Sequence, residues 1–453
     1  MFTWVSLTRV NMQTNSSTRF HTPLTPLAVT TAIPVVEESC VRTSLADDIS
    51  VCSQCRLCVD LCDVFPSIFD ALDDVTDADP HLLTPNQQNI FSDSCFHCGA
   101  CVQRCPHRGP DSEHEVDLPA TFIDLMQVRQ ANGYFTVRQR VTNWVLSAHD
   151  VTGPIASRCA TFVNWLMQRP DTLRRRLVTA ATGISSSAQI PRISRQRFST
   201  WFRRQPMPVA SDRPQVSVFP TCSVEYFSDD AAQSVIGDLS SRGRHCELAT
   251  TRCCGAEELR AGRVRAFRKR VHRLTKRLSK ESSKGPIMVM SPSCLAHLRT
   301  NLVPHCDPDL RPNAEMIVDR LRSPIEVLIE STSAGTSRPS GASDSRRSLL
   351  VLPSPHQNPS EQTALEQAVA SETAVQVIAD AGMHIGTWAL RQGNEEGTHR
   401  TVQRMAKRLP TPADAPRTVA RSGLLSSQLL AHETGDNIVD PVTVLISASS
   451  DEQ

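Results

Sequence analysis

Two stretches decide how this chain is read: Cys52-Ser-Gln-Cys55-Arg-Leu-Cys58-Val-Asp-Leu-Cys62, and Cys95-Phe-His-Cys98-Gly-Ala-Cys101-Val-Gln-Arg-Cys105-Pro106. Both space their thiols by two, two and three residues, and together they hold half of the 16 cysteines. Three thiolates so close can occupy three corners of a [4Fe-4S] cubane, while the fourth is carried too far round and reaches a neighbouring cluster. The spacing therefore assigns Cys52, Cys55, Cys58 and Cys105 to cluster 1, and Cys95, Cys98, Cys101 and Cys62 to cluster 2. Pro106 ends the second run as this pattern expects. Asp63 stands where a proline is usual after the first, so one local restraint is missing but no ligand is.

A single Cys-x-x-Cys also opens many zinc sites, but zinc closes with four ligands and has no use for a duplicated set of eight. A disulfide framework fits poorly with 453 residues and no secretion signal, and cluster loading needs a reducing place, which favours the cytoplasm. His97, between Cys95 and Cys98, reads as a neighbour of the cluster rather than a ligand.

The length allows two or three domains with their own cores. Lys and Arg (48) balance Asp and Glu (47), so net charge makes no case for nucleic acid, and no reading motif accompanies the arginines. The balance hides a contrast: residues 41–119 carry 14 acidic and 4 basic side chains, residues 120–215 carry 14 arginines and 4 aspartates. The basic block suggests contact with an anionic surface, of lipid or of a partner protein. Residues 1–39 read as a disordered tail or an overextended start, and no run of eighteen apolar residues predicts a transmembrane helix.

Domain by domain, the expectation is a dicluster module over 40–119, a basic helical segment and linker over 120–214, an α/β unit over 215–332, a flexible connector over 333–347 and a second α/β unit over 348–453. Asp47–Asp48 are expected to precede a short turn into the first run, with helices over Phe65–Leu83 and Leu118–Gln130, the latter packing over the clusters. Residues 192–204 alternate Arg192, Arg195, Arg197, Arg203 and Arg204 with Phe198, Trp201 and Phe202. They predict a helix lying in a membrane surface, or else a basic docking helix whose aromatics join an ordinary core. Pro206, Pro208 and Pro214 make a stiff linker.

In the first α/β unit, strands near Val216–Phe219 and Ile287–Met290 end in loops carrying Cys222 and Cys294, a helix spans Val224–Leu239, and Cys253–Cys254–Gly255 form a turn. Those four cysteines would meet at the strand-end rim where open α/β sheets bind ligands, as a third redox or metal site. Cys40, Cys159, Cys246 and Cys306 read as structural. The second unit repeats the plan, with a strand at Leu349–Leu352, a helix at Thr363–Ala379, a strand to Val419 and a helix at Leu424–Leu430, but holds no cysteine. It reads as a scaffold covering the working site.

These residues, with Trp144–Asp150, Thr200–Arg204 and Cys253–Cys254–Gly255, resemble the iron–sulfur (C) subunits of anaerobic glycerol-3-phosphate dehydrogenase, within the heterodisulfide-reductase-related and glycolate-oxidase iron–sulfur group. The resemblance spans roughly residues 40–445. It implies an α+β chain: a helix-elaborated two-[4Fe-4S] ferredoxin domain, then two tandem α/β CCG-type domains, the second lacking cysteines. Cys222, Cys253, Cys254 and Cys294 match the first CCG motif, with Ser291 where a further cysteine often stands. In the second motif His356 takes the place of the leading cysteine, Ala381 and Gly382 that of the pair, and Arg421 and Leu424 lie near the closing pair. The resemblance further implies electron transfer from a flavoprotein dehydrogenase towards a membrane quinone, peripheral to the inner face of the cytoplasmic membrane. A thiol–disulfide enzyme using the CCG site and a non-redox scaffold with structural metal remain the alternatives.

Overall fold

Apolar residues at four-residue spacing (Val41, Leu45, Ile49) draw the first described segment into helix α1, Glu38–Cys55. A computed structural model describes residues 37–108, 112, 114–208, 215–227, 230–280, 285–332, 347–357, 359–369, 373–378, 382–410 and 418–450. The expected tail up to residue 36, most of the 333–347 connector, and Ala381 lie outside these. Residues 38 and 39, expected in the tail, are already helical. Asp47 and Asp48 lie inside α1, which continues to Cys55 in place of the turn expected after them. The buried Asp48 is accommodated there by Thr121 Oγ1 at 2.6 Å and His114 Nε2 at 2.9 Å. Cys52 and Cys55 occupy the last turn of α1, and Arg56, at φ 51°, swings the chain out of it.

Helices α2 (Val64–Asp73), α3 (Pro85–Ser94), α4 (Ala100–Arg104) and α5 (Leu118–Ala131) complete this module. It contains no strand among its described residues. Helix α2 is shorter than expected and gives way to two short 3₁₀ turns, Thr76–Ala78 and Pro80–Leu82. Val41, Leu45, Phe65, Ile68, Phe91, Phe122 and Leu125 share its core, with the cysteines packed at the margin.

Four helices follow: α6 (Val137–Ser147), α7 (His149–Arg158), α8 (Ala160–Met167) and α9 (Leu173–Thr182). The expected helix over 192–204 is reduced to α10, Phe198–Phe202. Its aromatics face inward: Phe198 and Phe202 are buried in the core beneath the next sheet, and Ser199 holds the buried Glu225 carboxylate through N–H at 3.0 Å and Oγ at 2.6 Å. Of the two readings of this stretch, the stripe joins an ordinary core, because the face of a parallel sheet must be covered.

Next come β1 (Val216–Phe219), α11 (Thr221–Tyr226), α12 (Asp230–Ser241), β2 (Cys246–Leu248), α13 (Ala256–Arg260), α14 (Val264–Leu278), β3 (Ile287–Val289), α15 (Pro292–Asn301), α16 (Arg311–Arg320), β4 (Leu321–Arg322) and α17 (Pro324–Thr332). Then follow β5 (Arg347–Leu352), α18 (Pro359–Val369), β6 (Thr373–Val377), α19 (Glu395–Arg408), β7 (Thr418–Arg421), α20 (Leu424–Thr434), β8 (Asn437–Val439) and α21 (Pro441–Ser450). The helix expected to run to Ala379 ends at Val369. Thr373, Val375 and Val377 instead pair in parallel with β5, as β-branched residues favour. The helix expected over Val224–Leu239 is divided between α11 and α12.

The eight strands form two all-parallel sheets of identical order, β2-β1-β3-β4 and β6-β5-β7-β8. The architecture is thus mixed α+β. Residues from α12, α17, α18 and α21 fill one core shared by both sheets. Helices α14, α15 and α16 cover the free face of the first sheet. The free face of the second sheet meets the cysteine module: Leu61, Phe96 and Ala100 pack with Leu350, Leu352, Met383, Val402 and Met405.

Asp63, the residue in place of a proline, fixes this contact. Its carboxylate receives Arg400 Nε at 2.7 Å and Arg404 Nη2 at 2.6 Å, both from α19. Burial opposes ionisation, but the two guanidiniums outweigh it and hold the carboxyl below the usual range. A depressed carboxyl pKa contributes stability that is present above the unfolded value and lost as pH falls through the folded one. Asp63→Asn should therefore lower stability at pH 7 by about 1 kcal/mol, a partly exposed charged pair being worth no more. Denaturant titrations of both proteins should converge below about pH 4.

Candidate functional site: two cysteine cavities and a third thiol group

Backbone turns bring the two runs together. Gly99, at φ 76°, opens α4, which carries Cys101, while Cys105 follows it in extended conformation. Two cavities result. One is lined by Cys52, Cys55, Cys58 and Cys105, the other by Cys62, Cys95 and Cys98, and Cys101 touches both. Phe65 and Leu118 stand in both walls; Phe122 and Met383 close the second. All eight thiols are free.

Burial first, then neighbouring Asp48 and the other thiols, pushes Cys52 up to about 12; burial takes Cys58 and Cys98 to about 12 as well. Such thiols stay protonated at neutral pH until a cation replaces the proton. The sulfurs surround cavities rather than a point, and among the described residues no three His, Cys, Asp or Glu side chains converge to hold a single metal ion. Soft sulfur donors around each apolar cavity, with Cys101 between the two, fit the chemistry of iron–sulfur cubanes. His97 lines both the second sulfur cavity and the neighbouring cleft: its N–H donates to Cys95 Sγ at 3.4 Å, and its Nδ1 is buried without a partner.

The third group forms at the carboxyl end of the first sheet, from Cys222 on α11, Cys253 and Cys254 in the turn before α13, and Cys294 in the first turn of α15. Cys254 Sγ lies 3.3 Å from Cys294 Sγ. Its hydrogen bond with Cys253, and then burial, push the Cys222 thiol well up. Gly255 makes the turn possible: φ is 91°, and a Cβ would sit 2.7 Å from Arg270 Cδ and 2.8 Å from Phe267.

Sequence reading misses what holds this turn. Asp150 Oδ1 accepts the Cys253 N–H at 2.8 Å, and its other oxygen takes Arg270 Nη1 at 2.5 Å. Arg270 also binds Glu258 through two bonds of 2.7 and 2.8 Å. Asp150 lies 103 residues from Cys253, and no local pattern announces such a pairing. Ser291, the residue at a further cysteine's place, shares a hydroxyl contact of 3.1 Å with Ser293. Cys246 and Cys306 are buried, whereas Cys40 and Cys159 are exposed.

At the matching end of the second sheet stand His356, His384 and Arg421. The two rings are 6.0 Å apart, each with Nε2 buried and unpartnered. Arg421 is 1% exposed, donates to the Met383 carbonyl, and burial brings its pKa down to about 9. His356 abuts the second cysteine run: a Cβ on Gly99 would lie 3.2 Å from its ring.

The exposed apolar surface lies within the basic block 120–215 but not on the 192–204 stretch expected to carry it. Exposed apolar side chains gather on α6–α9, among them Val137, Trp144, Ile155, Phe162, Trp165 and Leu177, with Arg174 stacked over Trp165 at 4.5 Å. No described helix is long and apolar enough to cross a membrane.

Comparison with known proteins first gives the class: residues 51–108 match the 4Fe-4S dicluster domain and residues 216–299 the cysteine-rich domain known as CCG. The chain is also related, at low identity, to the C-subunit of the anaerobic glycerol-3-phosphate dehydrogenase of Escherichia coli, in strains K12 and O157:H7. Identity is 28% over 181 residues, 39% of this chain and 44% of the relative, so the match spans less than half of either protein. No solved structure matches.

Gly255→Ala should cost about 1–3 kcal/mol through strain and overpacking, read as a lowered denaturation midpoint. In the metal-free chain, alkylation of Cys52, Cys58 and Cys98 at pH 8 should be slower than that of exposed Cys159, as mass mapping would show.

Proposed function

We propose that this chain is an iron–sulfur electron-transfer subunit, passing electrons from a flavin-dependent dehydrogenase of glycerol 3-phosphate or a 2-hydroxy acid towards a membrane quinone. The observation that carries this reading is the gathering of eight thiols about two adjoining cavities, Cys105 beside the first run's three and Cys62 beside the second run's, with Cys101 touching both. Cys52, Cys55, Cys58 and Cys105 would hold one [4Fe-4S] cluster; Cys95, Cys98, Cys101 and Cys62 would hold the second. When bound, the clusters supply one-electron chemistry at potentials set by burial, charge and hydrogen bonds to sulfur. The chain keeps water out with Phe65, Phe96 and Phe122 and places cations beside the second cavity, including Arg260 and Arg421. Acidic residues such as Asp48 lie beside the first.

In this reading residues 40–119 act as the ferredoxin-type domain and 215–332 as the CCG-type domain. Residues 348–453 are a degenerate tandem copy in which His356 and Arg421 replace sulfur ligands. Cys222, Cys253, Cys254 and Cys294 form a third redox site. The apolar face of α6–α9, fringed by Arg158, Arg169, Arg174 and Arg176, suits an anionic lipid surface. That gives a peripheral location on the cytoplasmic side.

The 3.3 Å approach of Cys254 and Cys294 favours a second reading, in which the CCG site works as a thiol–disulfide centre. Anaerobic isolation with an iron and sulfide count separates the two. About eight irons per chain with four reactive thiols left over would support the thiol centre, about twelve a third cluster. Fewer than four would remove the electron-transfer role. Cys105→Ser should diminish the first cluster although Cys105 belongs to the second run.

A further inference from the structure

A cavity of about 490 Å³ opens between the cysteine module, α6, α13 and the segment 385–394. Three guanidiniums line it, those of Arg138, Arg260 and Arg391, against two carboxylates, those of Asp93 and Glu257. Both carboxylates are already engaged. Asp93 takes two hydrogen bonds from Arg129, at 2.8 and 3.0 Å, and Glu257 meets Arg260 at 3.0 Å and Thr387 Oγ1 at 2.6 Å. Once these pairs are matched, Arg138 and Arg391 are left uncompensated. Arg391 Nη1 donates to Asn143 Oδ1 at 2.6 Å, and Arg138 Nη2 donates to the Thr179 carbonyl at 3.1 Å and to Gln392 Oε1. The other N–H groups of these two guanidiniums meet no acceptor among the described residues. Burial lowers the pKa of Arg391 in spite of Glu257 and Asp93 nearby, as expected of a cation with too little counter-charge. Gln139 and Gln392, also in the lining, use their Oε1 atoms on the Thr136 N–H and on Arg138, so each keeps an amide NH2 to offer.

These features select a ligand class. A cation would be repelled by the two uncompensated guanidiniums. An apolar ligand would strip water from N–H donors and give them no acceptor, which is costly. A monoanion would answer one guanidinium and leave the other. A ligand with two negative charges answers both, and the paired oxygens of a carboxylate or phosphoryl group suit a guanidinium fork. We propose that this cavity binds a small organic dianion, a dicarboxylate or a phosphomonoester, held between the half-buried Arg391 inside and the exposed Arg138 at the mouth. The site goes beyond the electron-transfer reading and does not depend on it.

The test is calorimetric titration of the anaerobically purified full chain with succinate, with ethyl phosphate and, as the monoanion control, with acetate. Titration at about pH 8 keeps the phosphomonoester doubly charged. One saturable site is expected for at least one of the dianions, with acetate weaker by about tenfold or more and the affinity falling as salt is added. Whichever dianion binds more tightly tells which oxygen group the site takes, and either result supports the proposal. Arg391→Gln and Arg138→Gln should each weaken that ligand by about tenfold or more, since each removes one charge-assisted pairing. Arg138 is exposed in the first turn of α6, so its variant should keep the parent denaturation midpoint and separates lost binding from lost folding. No saturable site for either dianion, acetate binding as tightly, or an unchanged dissociation constant in folded Arg138→Gln would overturn the proposal.

Discussion

The structure depends on one exchange: each cysteine run gives its fourth thiol to the cavity framed mainly by the other. Cys105 must return to the end of α1, and Cys62 must reach the turn at Cys95–Cys101. That exchange ties α1, α4 and the segments between them into a unit too small and too poor in strands to be held by sheet hydrogen bonds. Helix α5 covers it with Leu118 and Phe122, giving the sulfur-lined cavities apolar walls.

At the strand end where the first sheet gathers thiols, the second presents His356, His384 and the buried Arg421, with His356 against Gly99 of the Cys98–Cys101 turn. The Asp63 carboxylate, clamped by α19, fixes that approach. Charges of both signs lie near each sulfur set: Asp48, Asp117, Arg104 and Arg108 about the first, and Arg260, Arg404 and Asp63 about the second.

How much of this is legible in the sequence follows from range. The thiol spacing is local, and the gathering of these cysteines about two cavities can be read from it, as can the buried strands near Val216, Ile287 and Leu349, whose short apolar runs end at proline or serine. What sequence cannot disclose is long-range. The Phe198–Phe202 aromatics read as a membrane stripe because nothing nearby reveals that a sheet will need covering. The apolar face on α6–α9 escapes notice because its residues are spread across four short helices. Strand β6 reads as helix because Gln376 and Ala374 interrupt its β-branched run, and only pairing with β5 decides it. Asp150 gives no sign of its partner in the cysteine turn.

The central claim is that two adjoining cubanes share crossed ligands, and paramagnetic resonance addresses it most directly. Dithionite-reduced protein, isolated anaerobically, should give a complex spectrum broadened by magnetic interaction between two [4Fe-4S]⁺ centres, since the cavities share Cys101 as a common wall. A sharp signal from one isolated centre, or no signal from iron-replete, folded protein, would contradict the account.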